Sequence, residues 1–233
     1  MTQQQSKEAK QKQHRQIIIL NKFVEEKFRQ EFSCITGEGK GSNPTPGFEE
    51  FIAKHLFFAT VTFSLSQGHS ARSVDSCLYS FRGLNYRLVR QLIGSHSARK
   101  THLHPFIFFS LDDEGSRHGS VNLAQGNRLH IHALVMVHPD TMDKWNNLNW
   151  PTIQGDPAVI DSLRIEAFDA SKASLPQLTS YISKALWPER DNDIYYDFYP
   201  EDQAKRRSTQ VSKMKAFASS SQLQIQKEEE PAN

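Results

Sequence analysis

The sequence predicts an α+β fold in which a central antiparallel β-sheet carries helices packed mainly on one face. Four short runs rich in β-branched and aromatic residues, each bounded by turn formers, predict strands. Longer segments with apolar residues every three or four positions predict helices. The elements follow one another in the order β-α-β-β-(α)-β-α, and the second and third strands are expected to pair as antiparallel neighbours.

The predicted elements fill most of the middle of the chain. The strands are placed at 57–63, 106–111, 128–137 and 162–168. The helices are placed at 16–32, 74–93 and 174–186, with short helices at 48–54 and between 140 and 150. Gly94 and Pro188 mark the ends of the two later long helices. Ser174 and Gln177 form a capping box at the start of the last one.

Length and composition restrict the class of protein. The 233 residues are enough for one domain of ordinary size with tails, or for two small ones, and 37% hydrophobic residues can form one core. Two cysteines are too few for a disulfide framework or a thiolate zinc site, so a reduced, cytoplasmic protein is expected. The N-terminus carries no secretory signal, and no apolar run approaches the ~20 residues of a membrane span, so no membrane partner is expected.

Composition divides the chain into three parts. Residues 1–47 combine a polar tail, a helix and a Gly/Pro-rich linker. Residues 48–207 contain all the predicted strands and form the predicted globular domain. Residues 208–233 are rich in Ser, Gln, Lys and Glu and are expected to be disordered.

The strand at 128–137 carries two histidines on one face. Its odd-numbered positions from Leu129 onward are uniformly apolar, whereas His130 and His132 point to the other side. Their Cα atoms are about 6–7 Å apart, so both rings can converge on one metal ion. Burying two imidazoles without a partner is costly, which favours a metal site. The alternative is a pair of core histidines that bind backbone carbonyls.

His102 and His104 form a second His-hydrophobe-His triplet. They precede Pro105, which cannot donate to a sheet ladder and marks the start of a strand. This triplet is interpreted as a surface or DNA-facing feature, and it becomes the metal pair only if the first assignment fails.

Basic residues concentrate in one part of the chain. No acidic residue occurs between Asp75 and Asp112. The window contains five cations that are predicted to contact DNA, namely Arg82, Arg87, Arg90, Arg99 and Lys100. The alternative is an ordinary solvated helix face, since the net charge of the chain is only +2.

Three features now stand in order along the chain: an aromatic strand containing threonines, the His-Ile-His strand, and a helix that carries Tyr181 and Lys184. Residues 57–64, 129–135 and 181–184 resemble the three motifs of the HUH endonuclease superfamily, in particular its single-tyrosine rolling-circle replication initiator (Rep) proteins.

The resemblance covers residues 57–187 and departs from the family in one respect. The family usually places an acidic residue a short turn before the histidine strand, whereas here a long polar insertion at 116–127 occupies that position. The counterpart of the acidic residue is therefore ambiguous.

The resemblance implies a HUH/Rep nuclease-like fold, related to ferredoxin-like and RNA-recognition domains, for residues 48–207. It implies sequence-specific nicking of single-stranded DNA, with Tyr181 forming a 5′-phosphotyrosine and a free 3′-hydroxyl that primes rolling-circle replication of a plasmid or phage. Lys184 would lower the pKa of the tyrosine or hold the phosphate. The implied partners are origin DNA and a host helicase and polymerase, in the cytoplasm of a bacterial host cell.

A divalent cation, Mg²⁺ or Mn²⁺, suits two imidazoles and one carboxylate. His130 and His132 supply the imidazoles. In the strand at 106–111 the odd-numbered positions form the natural core face, so the third ligand is expected on the opposite face, where Asp112 lies. Asp113 and Glu114 remain alternatives.

Two other interpretations stay open. The same chemistry would serve a transposase or a relaxase. A non-catalytic, RNA-recognition-like nucleic-acid-binding domain also combines a sheet bearing aromatic residues with a basic helix. The same-face histidine pair argues against that second class, because base stacking needs no metal, and without the pair Tyr181 would be interpreted as an aromatic residue that anchors its helix.

Overall fold

A five-stranded antiparallel sheet forms the centre of the protein in the computed structural model, which describes residues 3–37, 46–64, 73–113, 129–183 and 196–200. The strands are β1 (Leu56–Phe63), β2 (Phe106–Asp113), β3 (Leu129–Met136), β4 (Ile160–Ala167) and β5 (Tyr196–Tyr199). Their spatial order is β4-β1-β3-β2-β5, and every neighbouring pair is antiparallel. The predicted α+β class, the central antiparallel sheet and the β2–β3 pairing are confirmed.

Six α-helices surround the sheet in the described ranges. They are α1 (Gln3–Thr36), α2 (Pro46–His55), α3 (Val74–Ile93), α4 (Met142–Asn146), α5 (Trp150–Gln154) and α6 (Leu175–Ile182). The bounds of α3 equal the predicted ones, because Ser73 caps its first turn and Gly94, at φ +86°, ends it.

The helices lie on both faces of the sheet, which differs from the predicted packing mainly on one face. On one face α3, α4 and α5 cover a core that contains Ile131, Ala133 and Val135 of β3. On the other face α1, α2 and α6 cover a second core that contains Leu134 and Met136. Strands that are buried on both faces have apolar residues at consecutive positions, as in the Phe-Ile-Phe-Phe run of β2.

Helix α1 is part of the second core. Its buried residues recur every four positions and face β2 and α6. These residues are Leu20, Val24, Phe28 and Phe32. The N-terminal segment predicted for 1–47 therefore contributes a helix that covers the sheet.

Some of the predicted features lie outside the described residues, and one strand of the structure was not predicted. The tail predicted for 208–233, Lys184 and Glu114 lie outside the described ranges. Strand β5 was not predicted, and it pairs with β2 at the edge of the sheet. Among the helices that the structure describes, none combines the length and apolar character needed to cross a membrane.

Candidate metal centre

The register of β2 and β3 brings Asp112 and His130 directly opposite each other. His132 lies two residues further along β3, opposite Ser110, so all three side chains point to the face that α1 and α6 cover. The alternation of β2, with apolar Ile107, Phe109 and Leu111 on the other face, places Asp112 where the sequence predicted it.

These three side chains form a cluster that could hold a metal ion. The Nε2 atoms of His130 and His132 lie 3.4 and 3.9 Å from Oδ2 of Asp112. One ligand atom from each residue lies within 4.8 Å of the others. Two donors that are each about 2.1 Å from one ion can be at most about 4.2 Å apart, so the two measured distances fit a shared cation with little movement.

Two members of the cluster are buried and the third is partly exposed. Asp112 and His132 are 2% and 4% exposed, whereas the side chain of His130 is 17% exposed. A carboxylate in such a place is costly to keep charged unless a cation or hydrogen bonds compensate it. Access from the His130 side would leave coordination positions open for a substrate.

Thr60 of β1 orients one of the imidazoles. It lies opposite His132 in the β1–β3 ladder, and its Oγ1 is 3.2 Å from Nδ1 of His132. A hydrogen bond at Nδ1 fixes the ring and directs Nε2 toward Asp112, as outer partners of metal-binding histidines do. The sequence indicated a strand containing threonines but not which threonine contacts a histidine.

Helix α6 brings Tyr181 next to the cluster. The predicted capping box between Ser174 and Gln177 is present, and it fixes where the helix begins. Leu175, Thr179 and Ile182 form its buried side, which leaves Tyr181 half-buried at the border. Leu178 is only partly buried and packs against the same core.

Tyr181 packs against the rings that surround the cluster. Its ring centroid lies 5.0 Å from that of His132 and 5.9 Å from that of Phe58. Phe58 in turn stacks on His132 at 5.5 Å. The structure therefore brings together four of the predicted site residues, Asp112, His130, His132 and Tyr181.

The position of Tyr181 also depends on α1. The side-chain amide of Asn21 in α1 donates a 2.6 Å hydrogen bond to Oγ of Ser180, the residue before Tyr181. The two helices are in extensive contact. Nothing in the sequence pairs residues 159 positions apart, so this link between the helices was not predicted.

A polar row leads from the cluster across β1 to the edge of the sheet. Thr60 is paired with His132 on one side and with Arg164 of β4 on the other, so all three share one face. The side chain of Arg164 is 79% exposed and forms an ion pair with Glu166. Sequence analysis missed Arg164, although the alternation of β4 indicates which residues share its face.

The three arginines predicted on the basic helix lie away from the cluster. Arg82, Arg87 and Arg90 belong to α3, which packs on the opposite face of the sheet. Arg82 and Arg90 are exposed. Their contact with DNA stays a prediction.

Arg87 has an internal role. Its Nε and Nη2 atoms donate hydrogen bonds to the carbonyl oxygens of Ile153 and Gln154 at 2.8 and 2.9 Å. These carbonyls belong to the last turn of α5, where a helix offers its carbonyls no partner of its own and carries partial negative charge. A Cβ on Gly155, whose φ is +79°, would lie 3.0 Å from the guanidinium, so glycine is required there. This guanidinium therefore holds α5 against α3.

The remaining predicted cations and the second histidine pair lie near the other end of β2. Arg99 and Lys100 are exposed in 3₁₀ turns before the strand. Nε2 of His104 is 2.9 Å from the carbonyl of Ser97. Neither His102 nor His104 belongs to the group that could hold a metal ion among the described residues.

Comparison of the chain with protein-family models, curated proteins and solved structures found no match to any of them. The site is therefore characterised by its geometry: a buried cluster of two imidazoles and one carboxylate on a sheet, with a tyrosine in ring contact with one imidazole.

Proposed function

We propose that this protein is a metal-dependent endonuclease that nicks single-stranded DNA, with Tyr181 as the nucleophile. The observation that carries the proposal is the ring contact at 5.0 Å between Tyr181 and His132, a member of the cluster that could hold a metal. A nucleophile beside a two-histidine, one-carboxylate group suits phosphodiester cleavage through a covalent intermediate, because a bound cation can stabilise charge at the phosphate that the nucleophile attacks.

Mn²⁺ or Mg²⁺ is the proposed cation, held by Asp112, His130 and His132. A mixed set of one oxygen and two nitrogen donors suits Mn²⁺ well, although it would also accept Fe²⁺ or Zn²⁺. When bound, the cation supplies charge that stabilises the transition state at the phosphate.

Tyr181 performs the bond exchange. The phenol loses its proton, its oxygen attacks the phosphorus, and the bond from phosphorus to the 3′-oxygen breaks. The 3′-oxygen takes up a proton and leaves as a hydroxyl, while the 5′-phosphate remains on the tyrosine. A new 3′-hydroxyl can reverse the same exchange, which gives strand transfer and rejoining. Lys184, three positions after Tyr181 in the sequence and outside the described residues, would neutralise phosphate charge.

The row Arg164–Thr60–His132 gives the substrate strand a path to the cluster. Arg164 places an exposed cation on the same face as the metal-binding side chains. A guanidinium binds phosphate oxygens with paired hydrogen bonds. One phosphate held there would orient the next phosphates of the strand toward the cluster.

In biological terms, the proposal is a HUH-type replication initiator. The support is the order of the three motifs, with Thr60 and His132 in contact across two strands and Tyr181 beside them. The enzyme would nick an origin, prime rolling-circle replication of a plasmid or phage, and depend on a host helicase and polymerase in the bacterial cytoplasm.

The test is formation of a covalent protein–DNA adduct. The full chain is incubated with random single-stranded oligonucleotides and Mn²⁺ and then separated on a denaturing gel. We expect a band of lower mobility, which contains the protein joined to the oligonucleotide. This band should be absent when a chelator is added or when the His132→Ala variant is used instead of the wild type. His102→Ala, a histidine outside the cluster, is the control and should form the band. A band that survives the chelator and the His132→Ala substitution would refute the proposal.

A further inference from the structure

One face of α3 carries exposed aromatic and basic residues in alternation. The exposed positions of the helix are spaced by four, three, four and four residues, so they lie along a single line. The first of these five positions lies at the start of the helix, and the four that follow it are Tyr79, Arg82, Tyr86 and Arg90. We refer to these four residues as the α3 stripe.

The two tyrosines are unusually exposed for large aromatic side chains. Tyr79 is 79% and Tyr86 is 62% exposed, and among the described residues only Ile18 is another exposed large hydrophobic residue. Single exposed hydrophobic residues are ordinary, but the two exposed tyrosines found in the described ranges occur on one helix face. Neither ring contributes to the core that the buried side of α3 forms with the sheet.

The charged side chains of the α3 stripe are both basic. No acidic residue occurs in the sequence between Asp75 and Asp112. Asp75 is the first exposed position on the same line, and it lies in the first turn of the helix, where a carboxylate interacts favourably with the helix dipole. Basic or neutral protein surfaces have no electrostatic attraction to these arginines, whereas a polyanion is attracted to them.

We propose that the α3 stripe binds single-stranded nucleic acid, with Arg82 and Arg90 on phosphates and Tyr79 and Tyr86 stacked on bases. Tyrosine rings can stack on unpaired bases, whose faces are covered in a duplex. From Tyr79 to Arg90 the helix advances about 17 Å, which equals about five nucleotides of a stacked strand.

This surface is separate from the metal centre, because α3 packs on the opposite face of the sheet from Asp112, His130 and His132. The inference rests on the proposed function only in taking nucleic acid as the partner. The stripe would hold a part of the strand that is distant from the phosphate to be cleaved.

The experiment measures equilibrium binding of labelled oligothymidylate by fluorescence anisotropy, with a chelator present so that no metal-dependent cleavage occurs. Tyr79→Ala/Tyr86→Ala should weaken binding by about fivefold or more per ring, whereas Tyr79→Phe/Tyr86→Phe should bind as the wild type does, because the ring is kept. Arg82→Ala/Arg90→Ala should lower the slope of log affinity against log salt by about 1.4, since each phosphate contact on a single strand contributes about 0.7.

A matched control removes two exposed cations elsewhere. Lys54 and Lys172 have side chains that are 64% and 82% exposed, and they lie outside α3. Lys54→Ala/Lys172→Ala should leave the tyrosine-dependent part of binding intact. Circular dichroism and thermal unfolding should be unchanged in all these variants, since every replaced side chain is exposed.

Wild-type affinity in Tyr79→Ala/Tyr86→Ala, or equal binding of a duplex of matched length, would overturn the inference. Oligouridylate bound more tightly than oligothymidylate would identify RNA as the source of the single strand. The outcome is distinguishable from the fate of the proposed nuclease. If the protein forms no covalent adduct but its binding depends on the two tyrosines, the proposed nuclease is refuted and the α3 stripe is supported. If the adduct forms but binding does not depend on the tyrosines, the nuclease is supported and the α3 stripe is refuted.

Discussion

Asp112 carries the negative charge of the three-residue cluster, and it is 2% exposed. Asp112→Asn keeps the shape of the side chain and removes the charge. In the wild type, Mn²⁺ at 100 times its dissociation constant should raise the free energy of unfolding by about 2.7 kcal/mol. The variant should lose most of this gain, because a neutral amide is a poor ligand for a divalent cation.

Thermal unfolding with and without Mn²⁺ measures this effect. Asp143→Asn, an exposed acidic residue at the start of α4, is the control and should respond to Mn²⁺ as the wild type does. If Asp112→Asn is still stabilised by Mn²⁺ to the same extent, the third ligand is another acidic residue, with Asp113 and Glu114 next to be tested.

Arg164 tests the path of the substrate strand. Arg164 is exposed and lies two strands away from His132. Its replacement in Arg164→Ala should therefore leave metal binding and the maximal nicking rate unchanged. The KM for single-stranded DNA should rise, and its salt dependence should decrease by about 0.7 in slope for one lost phosphate contact. Steady-state kinetics at several salt concentrations give both values, with Lys172→Ala as the control. An unchanged KM would mean that the strand does not cross β4.

Among the elements, helix α6, which carries Tyr181, is held by a hydrogen bond from α1. Ser180→Ala removes the 2.6 Å hydrogen bond from Asn21 and leaves a partly buried amide without that partner. The cost in the free energy of unfolding should be about 1–3 kcal/mol. The rate of adduct formation should fall while Mn²⁺ affinity stays unchanged, because the metal ligands are on the sheet.

Urea unfolding and adduct kinetics on the same samples measure both effects. Ser183→Ala is the matched control, since Oγ of Ser183 donates within its own helix to the carbonyl of Thr179. A rate loss in Ser183→Ala as large as in Ser180→Ala would show that the link to α1 has no special role.

The elements that could be predicted are those with a strong local pattern. Helix α3 has an apolar stripe and a capping residue at each end, and β3 has a strict alternation around its histidines. Strand β5 has four residues and depends on β2 for its hydrogen bonds, so no local pattern indicates it. The Phe-rich run of β2 is apolar on both sides, which is why helices cover both faces.

The site was predictable where it depends on strand periodicity. The face shared by His130, His132 and Asp112 follows from alternation and pairing. The contacts of Asn21 and Arg164 depend on which elements become neighbours, which one sequence does not specify. The role of Arg87 was missed for the same reason, because its partners are 66 and 67 positions away.

For the whole molecule, a pair of histidines near the start of β1 and the end of β3 should make the free energy of unfolding depend on pH. The amide of Val137 donates to the carbonyl of His55, so His55 and His138 are neighbours. Burial lowers the pKa of His55, and the charges of Lys54 and His138 lower it further. Burial also lowers the pKa of His138, with His102 adding to the shift and Asp140 opposing it.

A histidine whose pKa is lower in the folded state takes up a proton more readily when unfolded. The free energy of unfolding should therefore be highest above the ordinary pKa of 6.5 and decrease as the pH falls through the lower folded values. Urea unfolding between about pH 7.5 and pH 5 measures the decrease. His55→Gln/His138→Gln should flatten it, and an equally steep decrease in that variant would assign the dependence to other groups.

The two faces of the sheet carry different surfaces in this account. The face under α1 and α6 holds Tyr181 and the cluster that could hold a metal ion, and the opposite face holds α3 with its exposed stripe. Tyr196 is a second tyrosine on the face of the cluster, because it lies opposite Ser110, which pairs with His132. Burial, followed by the charge of Asp197, raises the pKa of Tyr196 to about 12, so its phenol is harder to ionise.

The most direct measurement of the central claim is mass spectrometry of the protein–oligonucleotide adduct formed with Mn²⁺. We expect a nucleotide phosphate on Tyr181, no adduct in Tyr181→Phe despite wild-type stability and DNA binding, and a normal adduct in Tyr196→Phe. A phosphate found on Tyr196, or full adduct formation in Tyr181→Phe, would contradict it.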